Sequence, residues 1–225
     1  MLASPWSQLG ARFPYRVRGG GRVVALTFDD GPNPPFTERL ADVLADEGVR
    51  ATFFQVGACV ARNPEVTRRL FHDGHLIGNH SMHHRFRDYL RHPGFDRELE
   101  DTQDTIRACI GRRPALFRPP WLWRGPLWCG GVRRAGLVPV SGEFCHSGEV
   151  LGASGARIAR AVLRRARPGL IVIFHDGFNA STADRAATVE AVRLAIPELR
   201  RRGYRFVTVD ELLGAPGYLP EAGVS

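Results

Sequence analysis

Short apolar runs alternate with helical patterns along almost the whole 225-residue chain, and that alternation most constrains what it can fold into. Residues 23–28, 51–56, 76–78, 115–117, 137–140, 170–174 and 204–209 read as buried strands, rich in β-branched and aromatic side chains. Residues 37–47, 64–72, 96–110, 156–167 and 185–202 carry helical spacing, with Thr37 able to cap the first helix and Pro64 at a tolerated first-turn position. Strands separated by helices pair in parallel through right-handed crossovers. About seven of them suit an α/β fold in the form of a distorted or incomplete (β/α) barrel, better than a small open sheet. No Ser/Gly-rich linker or shift of composition marks a division into two domains.

The polar residues that interrupt this rhythm fall just after strands: Asp29 and Asp30, His80 and His84, Arg118, and His175 with Asp176. In a barrel of parallel strands those ends gather on one face, where active sites sit. Two adjacent carboxylates at a buried strand end are costly unless something uses their charge, and a metal is the simplest user. Successive strand residues face opposite ways, so one acid can be a ligand and the other a base. The alternative is an Asp-Asp-Gly-Pro turn whose carboxylates only cap backbone amides. His80 and His84 are four residues apart, a spacing that brings two imidazoles to one metal, although His83 offers a second pairing. Two histidines and one carboxylate leave positions open for water and substrate, as in a catalytic zinc site.

Composition narrows the chemistry further. Hydrophobic content of 44% with 24% charged residues fits a soluble protein with a real core. All 31 basic residues are arginine, which excludes lysine Schiff-base chemistry. The net charge of +8 is spread over the chain without a basic tail, which argues against nucleic acid as partner. Cys59, Cys109, Cys129 and Cys145 show no Cys-x-x-Cys spacing and read as buried thiols. No run approaches the ~20 apolar residues of a membrane span. Residues 1–22 lack the pattern of a secretory signal, which favours the cytoplasm.

Five stretches also match a known pattern. Thr27-Phe28-Asp29-Asp30-Gly31-Pro32, Ala51-Thr52-Phe53-Phe54, Gly78-Asn79-His80-Ser81-Met82-His83-His84, Phe117-Arg118-Pro119-Pro120-Trp121 and Ile173-Phe174-His175-Asp176 closely resemble the ordered motifs of the polysaccharide deacetylase family, carbohydrate esterase family 4. The resemblance covers residues 22–213, leaving 1–21 as an N-terminal extension and 214–225 as a tail. It implies that Asp30, His80 and His84 hold one divalent metal, zinc or alternatively cobalt or another divalent ion. It further implies that Asp29 is the base, that Arg118 pairs with Asp29, and that the backbone N–H of Trp121 stabilises the oxyanion. His175 would protonate the leaving amine, and Ile173 would line the pocket for the acyl methyl. Amide hydrolysis needs a nucleophile, an oxyanion stabiliser and a proton for nitrogen, so each need has a candidate.

The chain departs from the family pattern in two places. Leu122-Trp123 stand where a glycine usually follows the aromatic residue, giving a bulkier, more apolar rim. The usual Asp-Trp motif before the last histidine is replaced by Val140-Ser141-Gly142-Glu143-Phe144-Cys145-His146, so the carboxylate that tunes His175 is Glu143, Asp176 or absent. The implied activity is removal of an N-acetyl group from an amino sugar in an oligo- or polysaccharide or glycoconjugate. Alternatives are the same mechanism on a lipid-linked sugar or small amide, a noncatalytic carbohydrate-binding module, and Fe(II) oxygenation at the same three ligands.

Overall fold

A computed structural model describes residues 13–17, 21–89, 94–123, 126–145, 147–149 and 152–220. In chain order the elements are β1 (Val23–Asp29), α1 (Phe36–Asp46), β2 (Thr52–Gln55), α2 (Gly57–Arg62), α3 (Pro64–His72), β3 (Leu76–Asn79), α4 (Phe86–Tyr89), α5 (Gly94–Ile110), β4 (Leu116–Phe117), α6 (Pro126–Arg134), β5 (Val138–Pro139), β6 (Phe144–Cys145), α7 (Gly155–Arg165), β7 (Leu170–His175), α8 (Ala186–Arg201), β8 (Arg205–Phe206) and α9 (Val209–Leu213). The strands form one parallel sheet in the order β5-β4-β3-β2-β1-β7-β6, with β8 beside the start of β1. Eight strands thus stand among the described residues where about seven were expected, because β6 is too short to announce itself in the sequence. The sheet curls into a half-barrel with the helices around it. Val140 N–H donates to Phe117 O and Glu143 N–H to Ile171 O, so the short connection from β5 to β6 spans the gap between the sheet's two ends without pairing them.

The pleat of the strands sorts the core into two layers. Val24, Leu26 and Phe28 of β1 face the helices, where Phe28 stacks on Phe53 at 4.8 Å and on Phe174 at 5.7 Å. Val23 and Ala25 face inward with Phe54, Leu76, Leu116, Ile171, Val209 and Leu212. Alternation therefore carries Thr27 and Asp29 to the inner face of β1, and Ile173 and His175 to that of β7. The register makes Asp29 and His175 direct partners across the β1–β7 pair, and Thr27 the partner of Ile173.

Four helices were not anticipated: α2, α4, α6 and α9. The expected strand over 204–209 shrinks to β8 because Thr208 and Glu211 form a capping box that starts α9 at Val209. Thr37 does not cap α1, which begins one residue earlier; its hydroxyl instead donates to Asp176 Oδ2 at 2.6 Å. Cys59 is a buried free thiol and Cys109 a half-buried one, while the Cys129 and Cys145 side chains lie outside the described residues. Of the segments read as extension and tail, 13–17 and 214–220 pack on the barrel: Phe13 is buried, Val17 N–H donates to Gly169 O and Leu219 N–H to Arg113 O. Residues 1–12, 18–20 and 221–225 lie outside the described residues. No helix among the described residues is long and apolar enough to cross a membrane.

His75, just before β3, ties the fold to pH. Its buried ring packs on Phe53 and its Nδ1 accepts the Ala51 N–H at 3.2 Å, so the neutral form is the one that fits. Burial depresses its pKa to about 4. Above the unfolded value, about 6.5, neither state binds the proton. As pH falls from there towards the folded value the unfolded chain binds it first, and about 3 kcal/mol of stability is lost. We expect His75→Asn, which keeps an acceptor for Ala51, to be less stable at pH 7 yet to lose much less stability than the parent between pH 7 and pH 4, read by chemical denaturation.

Candidate active site

Arg118, the first residue after β4, forms the floor of the site and is fully buried. Its Nη1 donates to Asp29 Oδ1 and to Thr27 Oγ1, both at 2.7 Å, its Nη2 donates to Ser141 O at 3.1 Å, and its guanidinium lies 4.1 Å over the Phe54 ring. Thr27 in turn donates to Val172 O, which fixes the hydroxyl that receives the arginine. Removing one partner of a buried ion pair costs roughly 3–5 kcal/mol. Asp29 is accordingly held in one orientation at the inner mouth of the barrel, 4% exposed.

Asp30 turns away from the strand in a left-handed conformation (φ 79°), one that Asp tolerates better than most residues. Gly31 follows it so closely under Asp176 that a Cβ there would lie 2.0 Å from Oδ2, which explains the glycine. Asp30 Oδ1 lies 3.3 Å from His80 Nε2 and 3.1 Å from His84 Nε2, and Oδ2 accepts the Asn179 backbone N–H at 3.1 Å. His80 Nδ1 sits 2.7 Å from Arg118 O, an acceptor, so Nδ1 carries the proton and Nε2 presents its lone pair. His83 faces elsewhere: its backbone N–H and its Nδ1 both engage Glu98 of α5, at 2.8 and 2.7 Å. The pairing left open by spacing is therefore His80 with His84.

These three side chains fit a metal. One ligand atom from each of Asp30, His80 and His84 lies within 4.8 Å of the others, and all three residues are buried. Asp30 Oδ1 makes no hydrogen bond although buried, a costly state that a cation at the convergence point removes. The donor set of two imidazoles and one carboxylate is that of open divalent sites.

His175 ends β7 with its side chain 21% exposed. Its Nδ1 is 3.0 Å from Glu149 Oε2, and its backbone N–H donates to Glu149 Oε1 at 3.2 Å. Thr188 Oγ1 donates to the same Oε1, and Arg185 Nη1 to the Glu149 carbonyl. Burial alone would lower the His175 pKa; the hydrogen bond and charge of Glu149, with the charges of Asp30 and Asp29, overcome this and push it up to about 9. The tuning carboxylate is thus Glu149, not Glu143 or Asp176. Glu143 pairs with Arg167, while Asp176 accepts the Gly31 N–H at 3.1 Å and the Thr37 hydroxyl. His146 lies outside the described residues.

Trp121 sits in a 3-10 turn (Pro120–Leu122) and meets the His84 ring edge-on at 4.4 Å. Ile173 is buried on the inner face of β7; an added Cβ at Gly142 would strike it at 2.2 Å, so that glycine makes its space. Among the described residues, seven other than glycine have left-handed φ, namely Asp30, Ser81, His84, Trp121, Leu122, Asn179 and Ala180. All belong to the loops at these strand ends, where strain persists only under a tightly determined surrounding. Sequence reasoning missed Glu149, Glu98 and Thr27. Glu149 follows a two-residue strand, Glu98 resembles any acid of a charged helix, and Thr27 was quoted without a role.

A buried carboxylate held by an arginine, an imidazole held by a glutamate and a candidate metal centre around one barrel mouth suit metal-assisted hydrolysis. Comparison with known proteins gives the family: residues 16–138 match the polysaccharide deacetylase model, and the chain belongs to that family. A peptidoglycan-N-acetylglucosamine deacetylase of Bacillus cereus is 34% identical over 200 residues, covering 88% of this chain and 92% of the relative. A chitooligosaccharide deacetylase of Bradyrhizobium is 35% identical over 208 residues, covering 88% and 94%. Among solved structures, a family 4 acetyl xylan esterase from Clostridium thermocellum in complex with a cobalt ion has a TM-score of 0.78 at 34% identity, covering 87% of this chain and 94% of its own.

Proposed function

We propose that this protein hydrolyses the N-acetyl group of an amino sugar in an oligo- or polysaccharide or glycoconjugate, with residues 22–213 as the catalytic domain. The observation that carries the reading is the Asp29–His175 register, which puts the carboxylate we take as base beside the imidazole we take as acid. Asp30, His80 and His84 would hold the metal, with zinc as our assignment. When bound, a divalent ion polarises the acyl oxygen and makes water more acidic.

The chain's own groups supply the remaining steps. Asp29 takes a proton from the attacking water, and the Arg118 hydrogen bond orients it for that task. The backbone N–H of Trp121 adds a donor to the developing oxyanion. His175 has Nδ1 engaged by Glu149, so Nε2 delivers the proton to the departing amine. With a pKa of about 9 it is protonated at neutral pH, as an acid must be. Ile173 lines the recess for the acyl methyl.

A substrate panel tests this. N-acetylated chito-oligosaccharides should release acetate at least about 10²-fold faster than simple acetamides, the scale of one well-used binding or acid–base contribution. Equal or faster turnover of small amides would move the protein to the alternative substrate class.

A further inference from the structure

Two buried polar side chains next to Asp30 have no part in the steps above, Cys59 and Asp176. Both meet the same peptide unit. Cys59 Sγ lies 3.6 Å from Asp30 O and donates its proton to it, while Asp176 Oδ1 accepts the N–H of Gly31 at 3.1 Å. That carbonyl and that N–H are the two ends of the rigid plane joining Asp30 to Gly31, so the plane is gripped at both. Its surroundings are closed as well, since a Cβ at Gly177 would lie 2.5 Å from Asp30 O.

Each arm of the grip is itself fastened. Cys59 stands in the first turn of α2, and Arg62 at the end of that helix donates from Nη2 to Cys59 Sγ at 3.1 Å and to Ala180 O at 2.8 Å. Ala180 follows Asn179, whose backbone N–H reaches Asp30 Oδ2. The arginine that orients the thiol thereby also anchors the segment that serves the second carboxylate oxygen. On the other side, Asp176 Oδ2 receives the Thr37 hydroxyl at 2.6 Å and Asn33 Nδ2 donates to the Asp176 carbonyl at 2.9 Å. At 2% exposure Cys59 is closed to solvent, which suits a fixed donor and not a reactive thiol. The grip has something to resist: Asp30 is left-handed (φ 79°), and a non-glycine residue stays so only where its surroundings over-determine it. A freed plane lets Asp30 relax and carries Oδ1 away from the two Nε2 atoms it now faces.

We propose that Cys59 and Asp176 are positioning residues that clamp the Asp30–Gly31 peptide from its two ends and so hold Asp30 in the orientation in which Oδ1 meets His80 and His84. The inference rests on Asp30 being a metal ligand. The clamp touches neither substrate nor ion, and it sets how tightly the ion is held.

The test is the zinc affinity of the folded full chain, measured by competition with a chromophoric chelator, a readout independent of turnover. Cys59→Ala and Asp176→Ala should each weaken zinc binding about 10-fold or more, the scale of losing a partner of a ligand. Cys59→Ser, which keeps a donor, should recover most of the loss at position 59. Thr37→Val, which unfastens Asp176 without removing it, should show a smaller loss of the same sign and serves where Asp176→Ala does not fold. Freeing one end already frees the plane, so the Cys59→Ala, Asp176→Ala double variant should lose much less than the product of the single losses. Val162→Ala, a cavity in the helix-facing core, should lower stability and leave zinc affinity unchanged. Parent-like affinity in either Cys59→Ala or the position 176 arm, the full product in the double variant, or an equal loss in Val162→Ala would overturn the clamp. Where Asp30→Asn has lost zinc and the parent binds it, such a failure leaves the metal centre standing; where Asp30→Asn binds like the parent, the metal assignment falls and the clamp with it.

Discussion

Asp29→Asn should keep its metal and lose 10²- to 10⁴-fold in turnover, about what a positioned general base contributes, whereas Asp30→Asn should lose the metal. The two acids are neighbours in the chain but belong to different surroundings. Asp29 is on the inner face of β1, where Arg118 Nη1 donates to its Oδ1. Asp30 leaves the strand through a left-handed turn and puts Oδ1 within 3.3 Å of both Nε2 atoms. An amide at position 29 still accepts the Arg118 hydrogen bond but cannot take a proton. At position 30 it removes the charge that opposes a cation between two imidazoles. Metal content by mass spectrometry, paired with acetate release, separates the outcomes; equal metal loss in both variants would show the roles are misassigned.

Glu149→Gln should move the alkaline limb of the pH–rate profile to lower pH by roughly one to two units, since the glutamine can accept a hydrogen bond but offers no charge to the imidazolium. The sign follows from the acid's role. His175 must be protonated to serve the amine, and its raised pKa, about 9, keeps it so above neutrality. Without the Glu149 carboxylate the pKa falls and the active form disappears earlier as pH rises. His175→Ala should cut amide turnover by about 10²–10⁴-fold with metal retained, and cut turnover of an activated phenyl ester far less, because a phenolate leaves with little protonation. Glu143→Gln should leave the limb in place, since Glu143 pairs with Arg167. An unmoved limb in Glu149→Gln would remove that carboxylate from the account.

The long strands were legible because their apolar runs are long. β1 and β7, with seven and six residues, carry enough pattern to fix both the fold and the side to which Asp29 and His175 point. The strands β4, β5 and β6, of two residues each, carry no period at all. β4 and β5 were still visible inside the longer apolar runs 115–117 and 137–140, whereas β6 has no such run, and Glu149, four residues beyond it, was missed. The His80–His84 pair was recognisable by spacing, but only the Glu98 contact to His83, across 15 residues of sequence, shows why the third histidine is excluded. Thr37 and Thr208 make the opposite lesson. Thr37 looked like a helix cap and serves the Asp176 carboxylate, while Thr208 looked like a strand residue and is a cap.

The central claim, that hydrolysis depends on one divalent ion held by Asp30, His80 and His84, is tested most directly by following metal content and acetate release together during removal and return of the metal. Dialysis against a chelator should abolish acetate release from an N-acetylated chito-oligosaccharide, and zinc or cobalt should restore it at one equivalent per chain, with no restoration in His80→Ala or His84→Ala. Full acetate release from rigorously metal-free protein would contradict the account.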